Sequence, residues 1–552
     1  MIPVIDIFAG PGGLGEGFSS LTDNDGKPFF KIVLSIEKDA SAHKTLTLRS
    51  FYRQFEKQQV PEDYYNFLEG KITIDELFSR WPSQAFNASE ESWNAALGDP
   101  EESDRNAVSN SEVDEKIDIA LQGRKDWLLI GGPPCQAYSV VGRVRRMENI
   151  LDETSDKRVG LYKQYLRILA VHNPKLFVME NVKGLLSAHN GSDSIFSKIM
   201  KDLSDPSRAY SNNFLNSGRP LICPGYRIYS LVASPKDISV DGNPVFNPSD
   251  FVIKSEKYGI PQTRHRVILL GIRNDLAGHP EVLSEVDEVS IHKIIGDLPR
   301  LRSGLTTNDS NSNWKQCLLK IKDEDWLKDI DKTLRTEIIK RINGLALPKA
   351  GRGSEFIRTQ VNVPVFKDWF VDRRLKGVCN HVSRGHMEKD LHRYLFLSVY
   401  SALKNTSGGL TSFPGALLPL HKNIRTLTGT ITKTFADRFR VQLKSKPSKT
   451  ITSHISQDGH YYIHYDPLQC RSFTVREAAR IQTFPDNYYF CGPRTAQFVQ
   501  VGNAVPPLLA HKIAGIVRNI FINTLKTQKN GTPNKTHHRG DPLPIQSSRQ
   551  PH

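Results

Sequence analysis

The most informative features of this 552-residue sequence are ones it does not have. No uninterrupted apolar run is long enough to cross a bilayer, so no membrane-spanning segment is expected. The opening residues, MIPVIDIFAG, place no basic segment before their apolar run and do not read as a signal peptide, which makes the cytoplasm the expected compartment. The cysteines, Cys135, Cys223, Cys317, Cys379, Cys470 and Cys491, are far apart and form no C-x-x-C pair. That spacing excludes the disulfide framework of a small secreted domain and gives zinc no support. Internal repeats are absent.

The composition that remains is that of a globular chain with room for two or three domains, 38% hydrophobic and 24% charged. Its formal charge of +15 is unevenly spread. Between Asp331 and Asp466 there are 23 Lys+Arg and 10 Asp+Glu, which leaves 74−23 = 51 basic and 59−10 = 49 acidic residues elsewhere. A basic block beside a neutral remainder suits a chain in which one part holds a polyanion while the other does chemistry. A solvated basic surface would give the same count.

Taken in order, Val4–Ala9 reads as a buried strand, followed by a glycine-rich loop, Gly10-Pro11-Gly12-Gly13-Leu14-Gly15, that lets backbone N–H groups approach a ligand at the mouth of a helix. A second strand, Lys31–Ile36, ends at Glu37, where a carboxylate could grip the hydroxyls of an adenosine ribose. Residues from about 51 to 125 read as an insertion, with an acidic, polar surface stretch from Asn87 to Asp118. Within it Asp99 could accept from an adenine amino group or simply serve a turn. Trp127–Ile130 forms a third strand and stops at Gly131-Gly132-Pro133-Pro134-Cys135-Gln136. Two prolines cannot continue a central strand, so Cys135 is held in a stiff loop at the strand's carboxyl end, placed as a nucleophile would be. A basic, glycine-bearing stretch from Ser139 to Arg146 follows, and a helix is expected from about Gly160 to His172. The next strand, Lys175–Met179, ends in Glu180, a carboxyl able to serve as proton donor or as a structural partner. In Gln262-Thr263-Arg264-His265-Arg266, strand alternation would put Arg264 and Arg266 on one face as a site for a carbonyl or phosphate oxygen. The βα rhythm is lost from about Asn274 to Gln469; Thr474 and Glu477 then have capping-box spacing, and an apolar helix runs from Leu508 to about Leu525.

These stretches, in this order, resemble the DNA cytosine-5 methyltransferases. DIFAGPGGLGEGF resembles the family's first motif, GGPPCQAYS its nucleophile motif and MENVKGL its carboxylate motif. QTRHRV resembles the paired-arginine motif, RSFTVREAARIQTFPD the late structural motif and QVGNAVPP the closing one. The resemblance implies an α/β class I S-adenosylmethionine-dependent methyltransferase, Rossmann-like and mostly parallel with one reversed strand, plus a smaller irregular target-recognition domain. It divides the chain into a catalytic domain over 1–273, target recognition over 274–490, a returning segment over 491–525 and a disordered tail over 526–552. It implies Cys135 as nucleophile at cytosine C6, Glu180 as acid at N3, and Arg264 and Arg266 at the base. S-adenosylmethionine would be held by Phe8, Gly10, Gly12, Gly13, Glu37, Asp99 and Asn503, with no metal. The implied substrate is double-stranded DNA with its cytosine flipped out, and the implied setting a restriction-modification system. The enzyme is then a monomer, and a cognate restriction endonuclease would act separately. An RNA cytosine-5 methyltransferase of the same fold and a catalytically silent DNA-binding protein are the alternatives. The large basic region argues against the first, and the intact Cys135, Glu180, Arg264 and Arg266 set against the second.

Overall fold

A computed structural model describes residues 1–56, 58–98, 106–134, 157–190, 193–213, 221, 223–419 and 438–530. Apolar runs buried on both faces make its central sheet, as parallel strands covered by helices require. In chain order the first domain contains β1 (Ile2–Ile7), α1 (Gly13–Ser19), β2 (Phe30–Glu37), α2 (Ala40–Arg53), β3 (Ser92–Asn94) and α3 (Asn110–Leu121). It continues with β4 (Leu128–Gly131), α4 (Lys157–His172), β5 (Leu176–Val182), β6 (Tyr226–Tyr229), β7 (Val252–Lys254) and β8 (His265–Arg273). The strand order is β6-β8-β5-β4-β1-β2-β3, with β7 also on β8. Strands β3, β2, β1, β4 and β5 run parallel. β8 runs against β5, β6 and β7 and is the one reversed strand, so the sheet has the expected form.

One face packs Val4, Leu14, Phe18 and Ile268 against a last helix, α8 below. The other packs Ile5, Ile7, Val113, Ile117 and Leu169, from α3 and α4. This changes the reading of the 51–125 stretch. Its second half is no surface insertion: β3 extends the sheet beside β2, and Val113, Ile117 and Leu121 of α3 are buried in the same core as Ile7. The polar residues between them form the solvent face of an amphipathic helix. Its first half forms three short helices, Glu62–Leu68, Ile74–Arg80 and Pro82–Glu91. Their Tyr64, Tyr65 and Leu68 share a core with Leu375, Cys379 and Cys491 from far along the chain. Tyr65 also donates to Asp372 at 2.7 Å, and Arg358 pairs with Glu69 at 2.6 Å.

The second domain is irregular and largely helical, with Trp314, Trp326, Leu334, Ile338 and Phe396 in its core. It holds a hairpin of β9 (Gly353–Arg358) and β10 (Gly377–Val382), and a long helix, α5 (Glu388–Lys404). Then come α6 (Val475–Ile481), α7 (Arg494–Asn503) and α8 (Pro507–Asn530). Residues 471–490 depart from the expected boundary. The capping box of Thr474 and Glu477 forms, but α6 is a joint between domains: Gln262 donates to the Ile481 carbonyl at 3.1 Å, and the Tyr488 hydroxyl to that of Pro11. Arg471–Glu477 and Arg480–Asp486 ion pairs are sealed inside this joint.

Although it contains no uninterrupted apolar run, Arg494–Thr524 passes the length and composition test for a membrane-crossing helix. In the fold it is a core element, α8 being pressed against α1. Gly17 is what permits that approach, because a Cβ there would lie 2.3 Å from the Ala510 Cβ and 2.5 Å from the Pro507 carbonyl. The helix continues to Asn530, past the start of the expected tail, and residues 531–552 lie outside the described residues.

Candidate active site

The turn after β1 adopts conformations that few residues accept. Phe8 has φ 57°, Gly10 57° and Gly12 91°. The Gly10 N–H donates to Glu37 Oε2 at 2.8 Å, and the Asp39 N–H to Oε1 at 2.7 Å. One carboxylate thus ties the glycine loop to the end of β2, and burial raises its pKa. Among the described residues no atom lies within 4 Å of where a Gly10 Cβ would stand, so the loop is open to them on that side. A Cβ on Gly13 would meet the Val505 carbonyl at 2.3 Å, which brings the α7–α8 turn, and exposed Asn503 just before it, to the same loop. Phe8, Gly10, Gly12, Gly13, Glu37 and Asn503 are therefore gathered together. Asp99 lies outside the described residues.

β4 ends beside them. Gly131 must be glycine, since a Cβ would stand 2.4 Å from the Ile7 carbonyl. A Cβ on Gly132 would be 3.2 Å from Glu180 Oε2, which places the start of the Gly-Pro-Pro loop against the end of β5. The Asn181 amide reaches the Pro133 carbonyl at 3.5 Å. Glu180 faces Arg266, its Oε1 3.0 Å from the guanidinium Nε, with both side chains nearly buried at 13% and 17% exposure. Pairing of β5 and β8 sets Arg266 opposite Val182 and Ile268 opposite Glu180. Cys135, and the 139–146 stretch after it, lie outside the described residues.

Arg264 lies within electrostatic reach of both Arg266 and Glu180. β8 begins only at His265, so strand alternation does not reach back to it. Its guanidinium is 2% exposed and donates to the carbonyls of Ile451 at 2.8 Å and Gly502 at 3.2 Å. Burial, and then neighbouring Arg266, push its pKa down to about 9. Arg264 ties the end of α7 to the second domain. The same junction pairs Gln262–Thr263 with Ser448–Lys449 in a short parallel ladder, and Thr450 donates to the Thr263 carbonyl at 2.8 Å. Exposed Lys444, Lys446 and Lys449 are thereby fixed close to the arginine motif.

One residue of the site escaped the sequence reading. Asp6, inside β1, is 1% exposed, and burial pushes its pKa up to about 8 against the opposing pull of the Gly15 backbone N–H. Its signal was a lone acid in an apolar strand, directly ahead of the glycine loop. Two other features stand apart from these residues. A cavity of about 590 Å³ lies in the second domain among His292, Leu298, Arg341, Ser401 and Lys444. Cys317, Glu388 and His392 cluster at metal-ligand spacing, but the His392 Nε2 lies 3.0 Å from the Cys317 carbonyl.

In open α/β sheets ligands bind outside the carboxyl ends of the strands, where strand order reverses. Here that point falls between β1 and β4, and the fold is that of a class I methyltransferase. A model of the C-5 cytosine-specific DNA methylases matches residues 102–217 and 246–519. The type II methyltransferase M.Bpa9945I of Bacillus paralicheniformis is 32% identical over 533 residues, covering 94% of this chain and 99% of its own. M.DdeI of Desulfomicrobium norvegicum, also a type II methyltransferase, is 24% identical, covering 94% and 89%. The DNA (cytosine-5-)-methyltransferase M.ApeKI of Aeropyrum pernix is 28% identical, covering 74% and 84%. The chain belongs to the C-5 cytosine-specific DNA methylase family and is an enzyme that methylates cytosine in DNA at C5.

Proposed function

We propose that this enzyme methylates a cytosine flipped out of a specific double-stranded DNA sequence, through a covalent bond between Cys135 and C6. The reading is carried by the Glu180–Arg266 pair, 3.0 Å apart and set against Gly132, three residues ahead of Cys135. C5 of cytosine is a poor nucleophile, and a thiolate added at C6 makes it a good one. Cys135 forms the S–C6 bond while Glu180 delivers a proton to N3, leaving an enamine whose electron pair is available at C5. Arg266 steadies Glu180 and takes the O2 side of the ring. Arg264 acts as a positioning residue by holding residues 451 and 502 in place. S-adenosylmethionine, when bound, supplies an electrophilic methyl group. Phe8, Gly10, Gly12, Gly13, Glu37, Asp99 and Asn503 would hold it, and the open side of Gly10 beside the Glu37 carboxylate suits a ribose. Loss of the C5 proton then lets the Cys135 thiolate leave.

Extruding the base costs a few kcal/mol, which contacts from the basic second domain, Lys444, Lys446 and Lys449 among them, would offset. We place the enzyme in the cytoplasm as a monomer, the modification half of a restriction-modification system whose endonuclease is a separate protein. Bisulfite sequencing of a host expressing the gene should show methylated cytosine at one recurring sequence. Duplex DNA carrying 5-fluorocytosine at that sequence should become covalently attached to Cys135 when S-adenosylmethionine is present. Absence of the adduct, or appreciable turnover by Cys135→Ser, overturns the mechanism.

A further inference from the structure

Away from this site, cations gather at a corner of the second domain. Arg352, just ahead of β9, and Arg494, the first residue of α7, donate to the same carbonyl, that of Ser383, at 3.1 and 3.2 Å. Arg384 lies behind them over the Phe498 ring, its terminal nitrogens on the carbonyls of Gln457 and Ile455. Counter-charge is thin. Asp309 is shared between Arg302 and Arg352, Asp458 is paired with Arg438, and Glu355, the acid nearest Arg494, holds Asn380. The Nε groups of Arg352 and Arg384 and the Ser383 hydroxyl are buried without a hydrogen-bond partner among the described residues. Arg494 is exposed and the Arg352 side chain is 33% exposed, so an anion can reach both.

The corner also stands in a telling place. Gly492, two residues before Arg494, presses on Ser41 in the first turn of α2, directly beyond Glu37. It is therefore level with the carboxyl edge that holds the active site, and α7 runs from it to the Gly502 carbonyl that Arg264 grips. A pair of solvent-accessible guanidinium groups matches the oxygens of a phosphate diester. We propose that Arg352 and Arg494 bind a backbone phosphate of the substrate duplex. Such a contact sets the register of the DNA without reading its sequence. The proposal rests on the reading that duplex DNA is the substrate.

The test is the salt dependence of duplex binding by the full chain. Replacing both arginines (R352Q/R494Q) should flatten the slope of log affinity against log salt by about 0.9, the value for one phosphate. Each single glutamine variant should fall between, and R352K/R494K should keep the wild-type slope. An unchanged slope in the double variant, with wild-type binding still salt-dependent, overturns the phosphate site alone. If the wild-type protein shows no salt-dependent duplex binding, the substrate reading fails and takes the site with it. Should R352Q melt abnormally, R494Q decides the question, since Arg494 is exposed.

Discussion

Arg264 and Arg266 stand two positions apart yet meet different partners, and their substitution should fail in different ways. Arg266→Ala removes the cation from Glu180 at a partly open edge. It should lower kcat by roughly 100-fold, the scale of a lost electrostatic contact, with the melting temperature little changed. Arg264→Ala strands the buried carbonyls of Ile451 and Gly502 and should cost about 2–4 kcal/mol of stability, seen first as a lower melting temperature. Asp6 makes a prediction in pH. Its folded pKa, about 8, lies above the ordinary 3.8, so between those values the folded state binds the extra proton and stability falls as pH rises. The fall is up to about 1.4 kcal/mol per pH unit. Asp6→Asn cannot titrate, so its melting temperature should gain on the wild type from pH 5 to pH 8. A constant difference would show that the carboxyl is not buried as described.

At the scale of elements, close approaches between helices are the sensitive points. Gly17→Ala would drive a methyl into Ala510 and the Pro507 carbonyl and push α1 off α8, costing about 1–3 kcal/mol in a thermal melt. What could be foreseen from sequence separates along the same line. Strands β1, β2, β4 and β5 are legible because each is a short, largely apolar run stopped by glycine or a carboxylate, and α6 is legible from its Thr474–Glu477 cap, whereas β3 carries no such run. Those signals are local. The carbonyl partners of Arg264 lie 187 and 238 residues away, and no periodicity points to them. The helices over 62–91 look like a polar insertion until Tyr65 is seen on Asp372, 307 residues on. α3 was missed because its apolar face is only Val113, Ile117 and Leu121, a stripe diluted by acids. Burial of Asp6 likewise follows from its neighbours in space.

Over the whole molecule the two domains are joined by more than a linker. The Gln262–Ile481 and Tyr488–Pro11 hydrogen bonds, the helical lobe over 62–91 and the ladder at Gln262–Thr263 all cross between them. This joint carries the lysine loop, so replacing Lys444, Lys446 and Lys449 together with glutamine should lower the salt slope of DNA binding by about 2–3. An unchanged slope would remove them from the DNA path.

The seam between α1 and α8 sets a clock on this enzyme. The surface that Gly17 must settle against is made 510−17 = 493 positions after it. A chain truncated before Pro507 would lack that surface and should not methylate DNA.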